Sequence, residues 1–371
     1  MPQKDGKKPM NKLKNNGGAG SSDKTLSIAL IVLVALLIAT FVMLFVLHAQ
    51  STKNDEPKDD DSIPTISNKD NEDKNENKNT TPLYPTSPSR ESYKSKSSAG
   101  VITLSDEIKS NNTILVELDG YTSLVEKGAD KKIYPASMTK VMTLLVICEN
   151  VTDLTEKLSV TEEMVKYKEE NAGSGENFKA GEALTVKDFI YLIIYDSNTI
   201  ACQILAEHIA GSEAALVDLM NAKATDLGLM GTHFTNGTGL YNENHYSTCR
   251  EIAAIMAYAM ENPLAKKVLT SFSGYPINIY DGDSDTVLRT LTVYTDWYSG
   301  RLKDNPKLKT VTVKGGKTGY VDESGVSLVS YAESSDGKAY INVIVGKPKG
   351  EGLSESVSTS EVKYIYNNYA K

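Results

Sequence analysis

Cysteine, histidine and excess positive charge are all scarce in this chain, and each shortage removes a class of function. Three cysteines among 371 residues, Cys148, Cys202 and Cys249, are too few and too odd in number for a disulfide framework. Two of them sit inside apolar runs of helical pattern, so the expectation is buried free thiols. The four histidines, His48, His208, His233 and His245, show no metal-ligand spacing, and no metal or cofactor is expected. The formal charge is −8, and no basic stripe with interleaved aromatics suggests nucleic acid as a partner. No long internal repeat is present. Asp281-Gly-Asp-Ser-Asp285 opens like a calcium loop, but Thr286 stands where such a loop needs glycine and Thr292 where it needs glutamate. That stretch reads as a polar turn.

What the chain does have begins with one long apolar run. Leu26 to Leu47 carries no charge and is dominated by Leu, Ile, Val and Ala. About 22 helical residues at a rise of 1.5 Å span a ~30 Å hydrocarbon core. No Ala-x-Ala cleavage site follows directly, so residues 26–48 read as a single-pass anchor rather than a removed signal. Lysines 4, 7, 8, 12, 14 and 24 precede it, against Asp5 and Asp23. The positive-inside rule then keeps the tail, residues 1–25, in the cytoplasm and exports the remainder.

Residues 49–100 read as a disordered linker. Asn, Asp, Lys, Glu, Ser, Thr and Pro dominate, as in Asn54-Asp-Glu-Pro-Lys-Asp-Asp-Asp61. Such a composition buries too little apolar surface to fold. About 50 flexible residues have an r.m.s. reach of roughly 40 Å. The remaining stretch, 101–371, is long enough for a sizeable core.

The chemistry-bearing residues lie in that stretch. Ser137 and Lys140 are three apart, a spacing that places both side chains on one face of a helix. A serine hydroxyl is a weak nucleophile until a base takes its proton, and a lysine is such a base when burial lowers its pKa. Val141 to Cys148 is apolar nearly all round, which predicts a buried helix with Ser137 in its first turn. The positive end of that helix favours an oxyanion. Downstream, a β-branched run, Thr310-Val-Thr-Val313, and the pair Gly315-Gly316 lead into Lys317-Thr318-Gly319. A strand there presents a cation and a hydroxyl along its edge, and Gly319 lets a ligand backbone approach. Between the two lies Asp196-Ser197-Asn198, opening a helical run to His208.

Ser-x-x-Lys and Lys-Thr-Gly occur together in β-lactamases and penicillin-binding proteins, with a Ser-x-Asn element between them. From about residue 103 onward the chain resembles the serine-type D-alanyl-D-alanine carboxypeptidases, the low-molecular-weight penicillin-binding proteins. The stretches that carry the resemblance include Tyr134-Pro-Ala-Ser-Met-Thr-Lys140, Lys179-Ala-Gly-Glu-Ala-Leu-Thr185, Ala206-Glu-His-Ile-Ala-Gly-Ser212, Gly231-Thr-His-Phe-Thr-Asn236, Asn244-His-Tyr-Ser-Thr248 and Gly316-Lys-Thr-Gly-Tyr320. Residues 270–312 match poorly. The resemblance implies that Ser137 is the acylated nucleophile and Lys140 its base. It implies that Asn198 binds the substrate amide and that Lys317 and Thr318, with Gly319 beside them, hold the terminal carboxylate. The backbone N–H groups of Ser137 and Tyr320 would form the oxyanion hole. Asp196 stands where the family has serine, with Ser197 in the middle position. A carboxylate there favours charged lysines, unless it relays the proton itself.

The expected partners are therefore the peptidoglycan stem peptide, β-lactams as covalent inhibitors, and the lipid bilayer through residues 26–48. The expected activity is removal of the terminal D-alanine from pentapeptides outside the membrane. The alternatives are a β-lactamase, for which no deacylating glutamate is evident, and a catalytically weak homologue limited by Asp196.

The expected fold is mixed α+β, of the transpeptidase and β-lactamase type, with an antiparallel sheet packed with helices plus a helical lobe. Asp119-Gly120 signals a hairpin between strands 113–118 and 123–127. Helices are expected at 137–150, 186–195 with Thr185 and Asp188 as a capping box, 198–210, 212–226 and 248–261. Strands return near 308–313, 325–333 and 338–345, and a helix follows from 356.

Overall fold

Strands whose alternate residues are apolar on both faces need cover on both faces, and this decides the architecture. The computed structural model describes residues 82–84, 96–104, 108–271, 273–295, 308–346 and 355–371, all within the unit Asn68–Lys371. Its main sheet is built from β1 (Lys96–Thr103), β2 (Asn112–Glu117), β3 (Thr122–Lys127), β8 (Val311–Val321), β9 (Gly325–Ser334) and β10 (Ala339–Val345). The spatial order is β1-β3-β2-β10-β9-β8. Every pairing is antiparallel except β1 with β3.

The C-terminal helix α8 (Glu355–Tyr369) covers one face. Its Val362, Ile365 and Tyr366 pack with Leu115, Val313, Leu328, Tyr340 and Ile344. The Tyr366 hydroxyl donates to Ser330 O at 3.1 Å, so its polar end is satisfied inside the core. Ile114, Val116, Ile341 and Val343 alternate to the opposite face and are equally buried. There α6 (Cys249–Ala259) packs against β2, β9 and β10.

The helical lobe is centred on α1 (Lys140–Asn150), in which every residue but Asn150 is buried. Around it pack α3 (Val186–Tyr195), α4 (Thr199–Ala210), α5 (Glu213–Asp226), α6 and α7 (Pro263–Leu269). A helix apolar on all sides has no solvent face to keep, which is why it sits in the middle. The Thr185–Asp188 capping box is present at the start of α3 as expected. Gly211 ends α4 in the left-handed conformation, and Ser212 caps α5 immediately after.

Several boundaries differ from the sequence expectation. The helix expected at 137–150 is a 3₁₀ turn, Ala136–Thr139, running into α1. The helix expected at 248–261 is α6, and a separate helix, α7, follows because Asn262 caps a new start with Pro263 in the first turn. The strand expected at 308–313 is β8, which runs from 311 through Lys317, Thr318 and Gly319. A second antiparallel sheet lies outside the sequence expectation: β4 (Lys157–Ser159), β5 (Glu182–Thr185), β6 (Tyr275–Asp281) and β7 (Val287–Val293). The segment read as a polar turn, 281–285, is the tip of the β6–β7 hairpin. A short helix, α2 (Glu162–Glu170), precedes β5.

The expected linker also contains ordered pieces. β1 starts at Lys96, and Leu83 N donates to Val151 O at 2.8 Å while Tyr84 is buried. Residues 1–25 and the expected anchor at 26–48 lie outside the described residues. Among the described residues no single helix is long and apolar enough to cross a membrane.

Candidate active site

Ser137 lies in the 3₁₀ turn ahead of α1. In a 3₁₀ turn residues three apart eclipse each other, so Lys140 stacks directly over the serine. Lys140 Nζ is 3.3 Å from Ser137 Oγ and donates to Thr238 O at 2.5 Å. Lys140 is 1% exposed, although it carries an amine that water would normally solvate. Burial therefore pushes its pKa below the ordinary lysine value, while Cys202 and then Asp196 pull it back up. The preceding residue, Ala136, has φ +49, a left-handed conformation that costs energy for a residue with a side chain. That strained turn sets Ser137 at the mouth of the buried helix.

Strand β8 closes the other side. Gly319 pairs with Ser327 on β9. A Cβ added at Gly319 would lie 2.9 Å from Ser137 N and 2.8 Å from Ser327 Oγ, so only glycine permits this approach. Lys317 and Thr318 are both buried, and Lys317 Nζ donates to Thr318 O at 3.0 Å. The Tyr320 ring is exposed, and its hydroxyl donates to Asp322 Oδ1 at 2.9 Å. The Cys202 thiol, pushed up to about 11 by burial, lies close enough to both Lys140 and Lys317 to feel their charge. All three cysteines are free and buried, as expected.

The Asp196-Ser197-Asn198 element joins α3 to α4. Ser197 makes the turn with φ +53, and Asn198 caps α4 by accepting from Ala201 N at 3.1 Å. Asp196 Oδ2 accepts from Glu176 N and from Asn198 Nδ2, the latter at 3.0 Å. Asn198 Nδ2 also donates to Glu176 O at 3.1 Å. Burial raises the pKa of Asp196, and the hydrogen bonds from Asn198 and Glu176 oppose the rise. The carboxylate is thus engaged with the 174–177 loop and reaches Lys140 only through space.

Four further residues contribute, of which Thr238 and Tyr167 carry no sequence signal. Thr238 acts through its carbonyl, so its side chain announces nothing. Its loop is organised by Asn236, whose Oδ1 accepts from Thr238 N and Gly239 N at 3.2 and 2.7 Å. His245 has its Nε2 2.8 Å from Thr139 Oγ1, and Nδ1 accepts from Thr235 N at 3.1 Å. Burial pushes His245 down to about 4, which keeps the ring neutral. Tyr167 bonds Glu213 and Thr238, whose carbonyl accepts from Lys140, and burial pushes it up to about 12.

Residues 99–349 match a family described as D-alanyl-D-alanine carboxypeptidase. The chain is 34% identical over 267 residues to the D-alanyl-D-alanine carboxypeptidase DacF of Bacillus subtilis, covering 72% of this chain and 64% of that protein. It is 28% identical over 254 residues to DacA of Haemophilus influenzae, covering 66% of this chain and 59% of that protein. It thus spans about three fifths of the length of these relatives. Its fold is similar to the Streptomyces K15 DD-transpeptidase, with TM-score 0.59 and 24% identity, covering 70% of this chain and 97% of that one. Penicillin-binding protein 5 of Haemophilus influenzae is similar with TM-score 0.57 and 25% identity, over 70% of each chain.

Proposed function

The chain belongs to the D-alanyl-D-alanine carboxypeptidase family, and on that footing we propose that it removes the terminal D-alanine from peptidoglycan stem peptides through an acyl-enzyme on Ser137. The observation that carries this reading is the Ser137–Lys140 pair, 3.3 Å apart, with the amine buried and its pKa lowered. Neutral Lys140 takes the Ser137 proton as Oγ attacks the carbonyl carbon of the penultimate D-alanine. The oxyanion is held by the N–H groups of Ser137 and Tyr320, with the terminal carboxylate at Lys317 and Thr318. Collapse breaks the C–N bond, and the Lys140 ammonium gives its proton to the departing amine. Water then attacks the ester, its proton passing to Lys140, and the shortened peptide leaves while Ser137 regains its hydrogen. β-Lactams enter by the same first step and stop at the ester.

We further propose that residues 26–48 anchor the chain in the membrane and that the catalytic unit acts outside it. The uncharged run Leu26–Leu47 and the lysines before it support that placement. The test of the acylation is mass spectrometry after benzylpenicillin treatment. One adduct should appear on the peptide holding Ser137, and Ser137→Ala should abolish it. A persistent adduct in that variant overturns the assignment.

A further inference from the structure

Asn198 is expected to bind a substrate amide, yet both of its Nδ2 hydrogens are already given away, to Asp196 Oδ2 and to Glu176 O. Its Oδ1 serves the cap of α4. The loop that takes the amide is fastened at several points. Ser174 Oγ donates to Ser197 O at 2.5 Å, and Ser174 N to Thr199 Oγ1 at 3.0 Å. Lys168 Nζ donates to Gly175 O, Glu176 O and Asn177 Oδ1 at 2.5, 2.8 and 2.6 Å. Arg289, reaching in from β7, pairs with Glu176 Oε1 at 3.0 Å and donates to Asn177 O at 3.3 Å. Gly175 passes so close that a Cβ there would stand 2.6 Å from Asn198 Nδ2.

We propose that residues 174–177 are a strap that withholds the Asn198 amide, and that the Glu176–Arg289 pair holds it shut. The inference rests on the acylation reading above and deepens it. Release of Asn198 from Glu176 O leaves that carbonyl still bonded by Lys168, so no buried acceptor is orphaned when the amide turns toward an acylamino carbonyl of the substrate. The strap therefore trades positions with the ligand, and the apparent affinity is reduced by the fraction of molecules in which the amide is free. Glu176 and Arg289 are positioning residues that act through Asn198. Their pair is partly exposed, so its contribution is modest and salt-sensitive.

The test compares two β-lactams on the full chain. Benzylpenicillin carries an acylamino carbonyl for Asn198, whereas 6-aminopenicillanic acid has a free amine in its place. Glu176→Gln breaks the ion pair while leaving Arg289 bonded to Glu182. It should raise second-order acylation by benzylpenicillin about two- to fivefold, the span an exposed pair permits, with acylation by 6-aminopenicillanic acid unchanged. Ser174→Ala, which loosens the other end of the strap, should move the ratio in the same direction. Equal changes for both compounds, or an unchanged ratio in both variants, overturn the strap alone. Absence of acylation of the parent chain by either compound overturns the hydrolase reading and this inference with it.

Discussion

Lys140 is placed between opposing influences, and on the proposed acylation reading their balance sets the pH at which Ser137 reacts. A base accepts a proton only when neutral, so acylation rises as pH climbs through the Lys140 pKa. Burial is the largest influence and lowers that pKa, which brings the onset below that of an ordinary lysine. Asp196 acts the other way: its negative charge favours the ammonium and delays the onset. Asp196→Ser removes that charge and should shift the rising limb of acylation to lower pH, increasing the rate at neutral pH. The pH–rate profiles of the two proteins with 6-aminopenicillanic acid make the comparison without involving the Asn198 amide. A limb that moves upward, or a rate that falls, would mean that Asp196 carries the proton itself. The geometry argues against such a relay, because both recorded bonds to Oδ2 come from Glu176 N and Asn198 Nδ2.

On the proposed mechanism, strand β8 and the 3₁₀ turn must approach within backbone contact for the N–H of Ser137 to act with that of Tyr320. Gly319→Ala should therefore retain the fold of the sheet but shift β8 away from Ser137, and acylation should fall by about 100-fold or more, the scale expected of an ångström misplacement. Stopped-flow acylation together with circular dichroism checks it; near-normal rates would show that the approach is not needed. The spacing of Ser137 and Lys140 and the tripeptide at Lys317 were legible in the sequence because each is a local pattern. So were α3, through its capping box, and the hairpin at Asp119-Gly120. The strap was not legible, because Lys168, Glu176, Asp196 and Arg289 meet only after folding, across 121 positions between Lys168 and Arg289. The β6–β7 hairpin does carry a local signal: Ile277 and Ile279 alternate inward beside the turn dipeptide Asp281-Gly282. Pro276 and the exposed face of β7 weaken the strand pattern.

At the scale of the whole molecule, the question is where the catalytic unit begins. Composition alone puts the boundary at 100, since the residues before it are polar and charged. Two contacts move it earlier. β1 adds a parallel edge strand to β3 from Lys96 onward, and Leu83 and Tyr84 attach near Val151 at the end of α1. A buried tyrosine contributes on the order of 1.5–3 kcal/mol, so these residues are part of the unit they precede. A chain beginning at residue 80 should be soluble without detergent and should be acylated by benzylpenicillin at the rate of the full chain in membranes. A chain beginning at residue 104 loses both contacts and bares the edge of β3. It should melt lower by about 5 °C or more, with some loss to aggregation at the exposed edge. Thermal unfolding of the two truncated chains side by side decides the boundary. Equal melting temperatures would return it to residue 100, and a chain from 80 that is acylated only with residues 26–48 attached would mean that the anchor and the site are not separable.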